Sequence, residues 1–360
     1  MASRVVVTVP GKLILMGEHA AVYGQPALVA AADPRARVKV ERAAQGLQID
    51  LEDFGIRLES TWQEAADRAA RSRQAWQRYV EAPTPEQFGE VGSGSPEGLA
   101  LVALGELAAA RDDSGLPPLS IRIKSSLPIG SGFGSSASIA VALIGGVLAL
   151  VEGSVDVGLV DALVLEVERR QHGLPSGVDH KTVLYGGVVL AEREPAGDLR
   201  ISKLEQKSPM LERLQVYQTG QPAETTGEVV AAVRRRRDEE PELVEKLLGR
   251  MGRTVESLRR ALLASDDRSR ECNELIRDYE SCLEDLGVVP GDVRETIRDV
   301  EAQGGGAKIS GAGALTGSSA GCLLVYWPAG PPAELPARLC EYQRQAVELG
   351  VDGLRLEEDP

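Results

Sequence analysis

The sequence predicts an α+β protein of two domains, on three observations. The chain has 360 residues, beyond the size at which a single hydrophobic core usually stops growing. Valine-rich and alternating segments that read as strands are interspersed with helical patterns through the first half. Near residue 195 the texture shifts to long segments rich in Arg and Glu, which divides the chain into 1–194 and 195–360.

Residues 4–9, RVVVTV, read as a strand that Pro10-Gly11 ends in a turn. A second strand is predicted over 35–41, and 47–58 reads as a hairpin. The polar segment 61–78 reads as a helix, and 82–98, dense in Pro, Gly, Ser and acids, as a surface loop. There follow an Ala/Leu-rich helix over 99–111, a strand over 119–124, a glycine loop, and the apolar run IAVALIGGVLALV. That run is short and glycine-interrupted, which suits a buried helix better than a membrane span. A helix is predicted over 157–171 and a strand over 182–192 with a break at Gly186-Gly187. Segments 239–264 and 268–286 read as amphipathic helices, 307–326 as a glycine loop plus an apolar strand, and 332–349 as a closing helix.

Charge and cysteine usage exclude several functions. The balance of 40 Lys plus Arg against 54 Asp plus Glu gives −14, which argues against a general nucleic-acid or anionic-membrane binder. The basic run 234–237 precedes DEEPE and reads as a solvated helical face. Cys272, Cys282, Cys322 and Cys340 show no C-x-x-C spacing and no nearby histidine, so reduced, mostly buried thiols are expected rather than a zinc site or a disulfide framework. The apolar stretch before Lys12 is too short for a signal peptide, and a soluble, cytoplasmic protein is expected.

The segment LPIGSGFGSSAS, residues 127–138, says most about chemistry. Gly130, Gly132 and Gly134 alternate with Ser131 and Phe133, ahead of Ser135, Ser136 and Ala137 at a helix start. Glycines let backbone N–H groups converge on an anion, and the free N–H groups and dipole of the next helix add attraction for phosphate. A hydroxyl there can cap the helix or reach a magnesium ion; a flexible Gly/Ser turn is the alternative. No GxxxxGK(S/T) is present, against a P-loop ATPase. A GxGxxA match to the dinucleotide fingerprint is weak, because Leu127-Pro128 separates strand from glycines.

Three further segments hold polar residues that a turn does not require. In PGKLILMGEHAAVYG, residues 10–24, Lys12 is placed to offset charge on a transferring phosphoryl group, with Glu18 and His19 close by. Glu18 is alternatively the surface partner of Lys12. In ERRQHGLPSGVDHKTVLYGG, residues 168–187, Glu168 and Asp179 flank a Gly-Leu-Pro bend. One carboxylate beside Ser136 would complete a magnesium shell and the other would orient or deprotonate an attacking hydroxyl; turn capping and pairing with Arg169 or Arg170 are the alternatives. His19, His172 and His180, the three histidines, all fall in glycine-punctuated stretches that read as loops. The third segment, GGGAKISGAGALTGSSAGC, is a second glycine cluster.

Together PGKLILMGEHAAVYG, LPIGSGFGSSAS and KISGAGA resemble the three signature motifs of the GHMP small-molecule kinases, in that family's order. GEHAAVYG and HGLPSGVD are most similar to its mevalonate kinase branch. The resemblance implies a two-domain fold: an N-terminal ATP-binding domain like part of a ribosomal protein, and a ferredoxin-like C-terminal domain, with the site between them. It implies Lys12 and Asp179 as catalytic residues. The loop Gly130, Ser131, Gly132, Gly134, Ser135, Ser136 and Ala137 would hold the ATP phosphates, and Ser136 and Glu168 would hold Mg2+. Glu18, His19 and His180, with Gly311, Ala312 and Gly313 closing over them, would line the substrate side. Three departures stand out: ALTGSSA is inserted after the third motif, His180 stands where asparagine is common, and Phe133 replaces a usual leucine.

The implied function is ATP- and magnesium-dependent phosphorylation of the primary hydroxyl of a small hydroxy acid, mevalonate first among them. A kinase for a sugar or other alcohol is the runner-up, and a catalytically silent ATP and metabolite sensor stands in another class. Small molecules are the expected partners, without nucleic acid or membrane, and homodimerisation is left open.

Overall fold

Strands Arg4–Met16 and Ala27–Arg42 pair antiparallel and form the centre of a nine-stranded sheet in the computed structural model. The structure describes residues 3–82, 84–92, 94–111, 115–127, 132–173, 175–194, 199–205 and 208–357. Across the sheet the order is Arg355–Glu357, Arg4–Met16, Ala27–Arg42, Leu119–Ser125, Leu47–Leu51 and Ile56–Ser60. Val188–Arg193 and Glu348–Leu349 also pair with Ala27–Arg42, whose 16 residues are long enough to serve several neighbours. Leu199–Lys203 extends the sheet from Val188–Arg193.

Pro10-Gly11 does not end the first strand. The strand continues through it with a register shift: Pro10 opposes Arg35 and Gly11 opposes Ala32, leaving Asp33 and Pro34 as a bulge. Proline donates nothing to a ladder and is tolerated at such irregularities. The hairpin at 47–60 forms as expected.

The helix Ser135–Glu152 is apolar on all sides because it is buried on all sides, from Ala137 through Leu150. It packs on both central strands, and Gly146 permits the approach, since a Cβ there would stand 3.0 Å from Val40. Among the described residues it is the one helix long and apolar enough to cross a membrane, and 78% of it is buried inside the fold.

A second sheet has the order Gln343–Gln345, Leu214–Gly220, Gly321–Tyr326 and Gly306–Ser310, all antiparallel. With its helices this is the strand-helix-strand-strand-helix-strand pattern of a ferredoxin-like domain, as expected. Helices Pro241–Leu263 and Ser269–Asp285 confirm the amphipathic reading of the second half. Cys272, Cys282 and Cys322 are buried free thiols, and Cys340 is exposed.

Three further element assignments are corrected. The surface loop at 82–98 contains a helix, Pro85–Val91, started by the Thr84 side chain accepting from the Gln87 N–H. The strand expected from 182 begins only at Val188, because Val178–Tyr185 is a helix that Gly186, at φ 69°, ends. The closing helix shrinks to Ala337–Cys340. The chain after it forms short strands, and Glu348–Leu349 and Arg355–Glu357 return to the first sheet, where sheet edges offer unpaired backbone groups.

Candidate active site

Strand Arg4–Met16 carries Lys12, and the glycine loop is strapped across it. The Lys12 N–H donates to the Phe133 carbonyl at 2.9 Å. The Ser138 hydroxyl donates to the Pro10 carbonyl at 2.7 Å and lies 3.0 Å from that of Gly134. Phe133, buried, is the apolar anchor of the loop. Gly132 and Gly134 have φ of 82° and 69°, and a Cβ on Gly134 would come within 2.9 Å of Lys12 Cγ. Glycine is therefore needed both for the turn and for the passage of the lysine stem. Gly130 and Ser131 lie outside the described residues. Ser135, Ser136 and Ala137 form the first turn of their helix; its N-cap is Gly134 and, among the described residues, no side chain caps it, which suits its first N–H groups to an anion.

Lys12 Nζ stands 3.2 Å from Asp179 Oδ2, the lysine side chain 6% and the aspartate 32% exposed. Asp179 sits in the first turn of the helix Val178–Tyr185, after Gly177 in the left-handed region, rather than in a free turn. Glu168, near the end of the helix Val157–His172, is buried, and its Oε1 accepts from the Ser136 hydroxyl at 3.3 Å. Burial pushes the Glu168 carboxyl above its usual range; His172 draws it back and Asp179 adds to the rise. A carboxylate whose charge is disfavoured by burial, next to a hydroxyl, fits a divalent cation, which would offset that charge. No group of three or more His, Cys, Asp or Glu is set to hold a metal among the described residues. Phosphate oxygens and water would fill most of the shell, as they do at magnesium sites.

The substrate-side residues are drawn into the contact between the two sheets. Glu18 does not pair with Lys12: its Oε1 accepts from Lys308 Nζ at 2.6 Å, both side chains 1% exposed. Burial raises the Glu18 carboxyl against the opposing pull of Lys308. The Tyr279 hydroxyl donates to the Glu18 carbonyl at 3.0 Å and accepts the Gly17 N–H at 2.8 Å. Glu280 accepts the Ile309 N–H at 3.0 Å, and burial pushes its carboxyl well above the usual range. His19 is the one non-glycine residue with positive φ among those described, at 58°, a strained conformation of the kind that collects at functional sites. Its Nε2 is 2.9 Å from the Ala312 carbonyl, which joins the first motif to the third. Gly311 and Gly313 flank Ala312 with φ of 109° and 73°, and a Cβ on Gly313 would lie 2.1 Å from the Val288 carbonyl.

The inserted ALTGSSA is anchored. Glu224 accepts the Leu315 N–H at 3.0 Å and the Thr316 hydroxyl, and Thr219 accepts the Ala320 N–H at 2.8 Å. His180 is fully buried, its Nε2 3.0 Å from Asp161, which also accepts Lys181. Two of the histidines are thus not in loops: His172 ends a helix and His180 lies within one. Sequence reasoning did not single out Lys308, Tyr279, Glu280 or Asp161. For Lys308 a signal was present, because a lysine between Ala307 and Ile309 in a buried strand needs a carboxylate partner.

Comparison with known proteins gives the family and the fold. The family model of the GHMP kinases N terminal domain matches residues 99–187. A mevalonate kinase of Thermococcus sibiricus is 32% identical over 90% of each chain, and one of Thermococcus gammatolerans is 29% identical over 99% of each. Among solved structures, the Methanococcus jannaschii mevalonate kinase superposes with a TM-score of 0.72 over 98% of both chains at 20% identity. With such a likeness along nearly its whole length, the chain belongs to the GHMP kinase family, on its mevalonate kinase branch.

Proposed function

We infer that the chain is an ATP-dependent phosphotransferase that phosphorylates the primary hydroxyl of mevalonate to give mevalonate 5-phosphate, a precursor for isoprenoid synthesis. The observation that carries the reading is the Lys12–Asp179 contact beside the uncapped helix start that holds Ser136. Asp179 orients the acceptor hydroxyl and receives its proton as that oxygen bonds to the γ-phosphorus and the bond to ADP breaks. Lys12, held by Asp179 and by its buried stem, offsets charge on the transferring oxygens. The first-turn N–H groups and the loop Gly130 to Ala137 bind the phosphates of ATP. Mg2+, when bound by Ser136 and Glu168, supplies charge neutralisation at the β- and γ-phosphates. Glu18, His19, Gly311, Ala312 and Gly313 form the acceptor-side wall, together with His180, which is held by Asp161.

Within this reading, 1–194 is the ATP-binding domain and 195–360 the second domain, whose last strands return to the first sheet. The protein works in the cytoplasm on small molecules, as a monomer or a homodimer. The test is ADP release with Mg-ATP against mevalonate, phosphomevalonate, galactose and homoserine, with Asp179→Asn in parallel. Turnover on mevalonate is expected, falling by about 10²–10⁴-fold in the variant while ATP still binds. Turnover on another acceptor alone, or an unimpaired variant, overturns the substrate or the aspartate assignment respectively.

A further inference from the structure

We propose that His172 is a third protein ligand at the ion-binding corner, making with Ser136 and Glu168 a mixed oxygen and nitrogen face that takes manganese as well as magnesium. The proposal rests on the reading of Ser136 and Glu168 as the ion-binding pair. His172 Nε2 lies 3.4 Å from Ser136 Oγ and 3.8 Å from Glu168 Oε2, and Ser136 Oγ lies 3.3 Å from Glu168 Oε1. Adjacent ligands around a six-coordinate ion with bonds of about 2.1 Å stand about 3 Å apart, so a cation need draw Ser136 toward each partner by only a few tenths of an ångström and His172 toward Glu168 by somewhat under about 1 Å. His172 follows Glu168 by four residues and so shares its helix face.

The backbone fixes the turn that follows His172. Gly173 ends the helix at φ 72°, ψ −72°, and its carbonyl accepts the Trp76 indole N–H at 2.6 Å. A Cβ at 173 would lie 2.8 Å from the Tyr79 ring, so the turn after His172 is closed to other residues. The His172 side chain is 49% exposed, open to the same solvent from which a nucleotide and its ion arrive. The other two imidazoles are engaged and buried, His19 on Ala312 and His180 on Asp161. Magnesium prefers an all-oxygen shell, whereas an imidazole nitrogen suits first-row transition ions, so this face favours Mn2+ relative to a site of oxygens alone.

The test is Mn2+ binding to the full chain with a non-hydrolysable ATP analogue, read by electron paramagnetic resonance and spin-echo envelope modulation. The expected result is a bound Mn2+ with imidazole nitrogen coupling. That coupling should vanish in His172→Gln, and Mn2+ affinity should fall by at least about 10-fold. The nucleotide is the same in both samples, so any adenine coupling cancels. If the variant does not fold, ¹⁵N-histidine labelling of the natural chain should convert the coupling to the ¹⁵N pattern. Bound Mn2+ without histidine coupling, or no bound Mn2+, overturns the proposal. Loss of mevalonate turnover with the coupling retained would instead refute the substrate reading and leave this one standing.

Discussion

At Lys308 three titratable groups meet out of reach of water. The ammonium bonds Glu18, lies near Glu280, and faces the Tyr279 ring at 5.6 Å. Both carboxyls are raised by burial, Glu280 the more strongly. The one ammonium bonds Glu18, so its pull offsets the effect of burial less at Glu280. The sign for stability follows. Glu280 has a folded pKa above its ordinary 4.5, so the unfolded chain releases that proton first. Stability is fully present below about pH 4.5 and is lost as pH rises toward the raised folded value. Glu280→Gln, which mimics the protonated form and keeps an acceptor for Ile309, should flatten the fall in melting temperature as pH rises from about 4.5. Thermal melts across that range check it, and an unchanged slope would show that Glu280 is ionised in the fold.

Among the elements, the glycine loop and the first strand act as one unit. Lys12 is held by the Phe133 carbonyl on one side and Asp179 on the other, and Gly134 gives its stem a path. Gly134→Ala adds a methyl 2.9 Å from Lys12 Cγ at a φ of 69°, which a side chain occupies at about 1–2 kcal/mol. The lysine must shift, and a displacement of the order of an ångström at a reacting group costs about 10²-fold in rate. The expected outcome is kcat down by about 10- to 100-fold with melting temperature lowered only slightly. Steady-state kinetics beside calorimetry separate the two effects. Equal losses of stability and rate would mean that the loop is a structural turn.

Across the whole molecule, the two sheets are joined at the site itself. Lys308 on strand Gly306–Ser310 and Tyr279 on helix Ser269–Asp285 hold the Gly17–Glu18 turn, and Ala312 holds His19. Lys308→Met should therefore destabilise the protein by about 3–5 kcal/mol, since it leaves a buried carboxylate uncompensated. Adding Glu18→Gln should return part of that loss, which denaturant titration of the four proteins of the cycle would measure. Simple additivity of the two substitutions would show that the pair is not coupled.

Local pattern was enough for the parts of the chain whose chemistry is written in neighbouring residues. The polar segment 61–78 reads as a helix and forms one, started by a capping box of Thr61 and Glu64, and valine runs mark strands. Lys12, Ser136, Glu168 and Asp179 were picked out by their glycine-punctuated segments and by the family resemblance those segments carry, and the structure brings Lys12 to Asp179 and Ser136 to Glu168. What pairs with what was not legible. The Glu18–Lys308 pair spans 290 residues, and the closing strands find partners at the opposite end of the chain. Short polar segments such as 343–357 carry too little periodicity to declare a strand, and they become strands because an unpaired sheet edge is there to meet them. Sequence alone determined most of the local conformations and the family to which the motifs belong. Only the tertiary structure decided which charges would be buried together, because burial and long-range pairing are properties of the packed chain and not of any stretch of it.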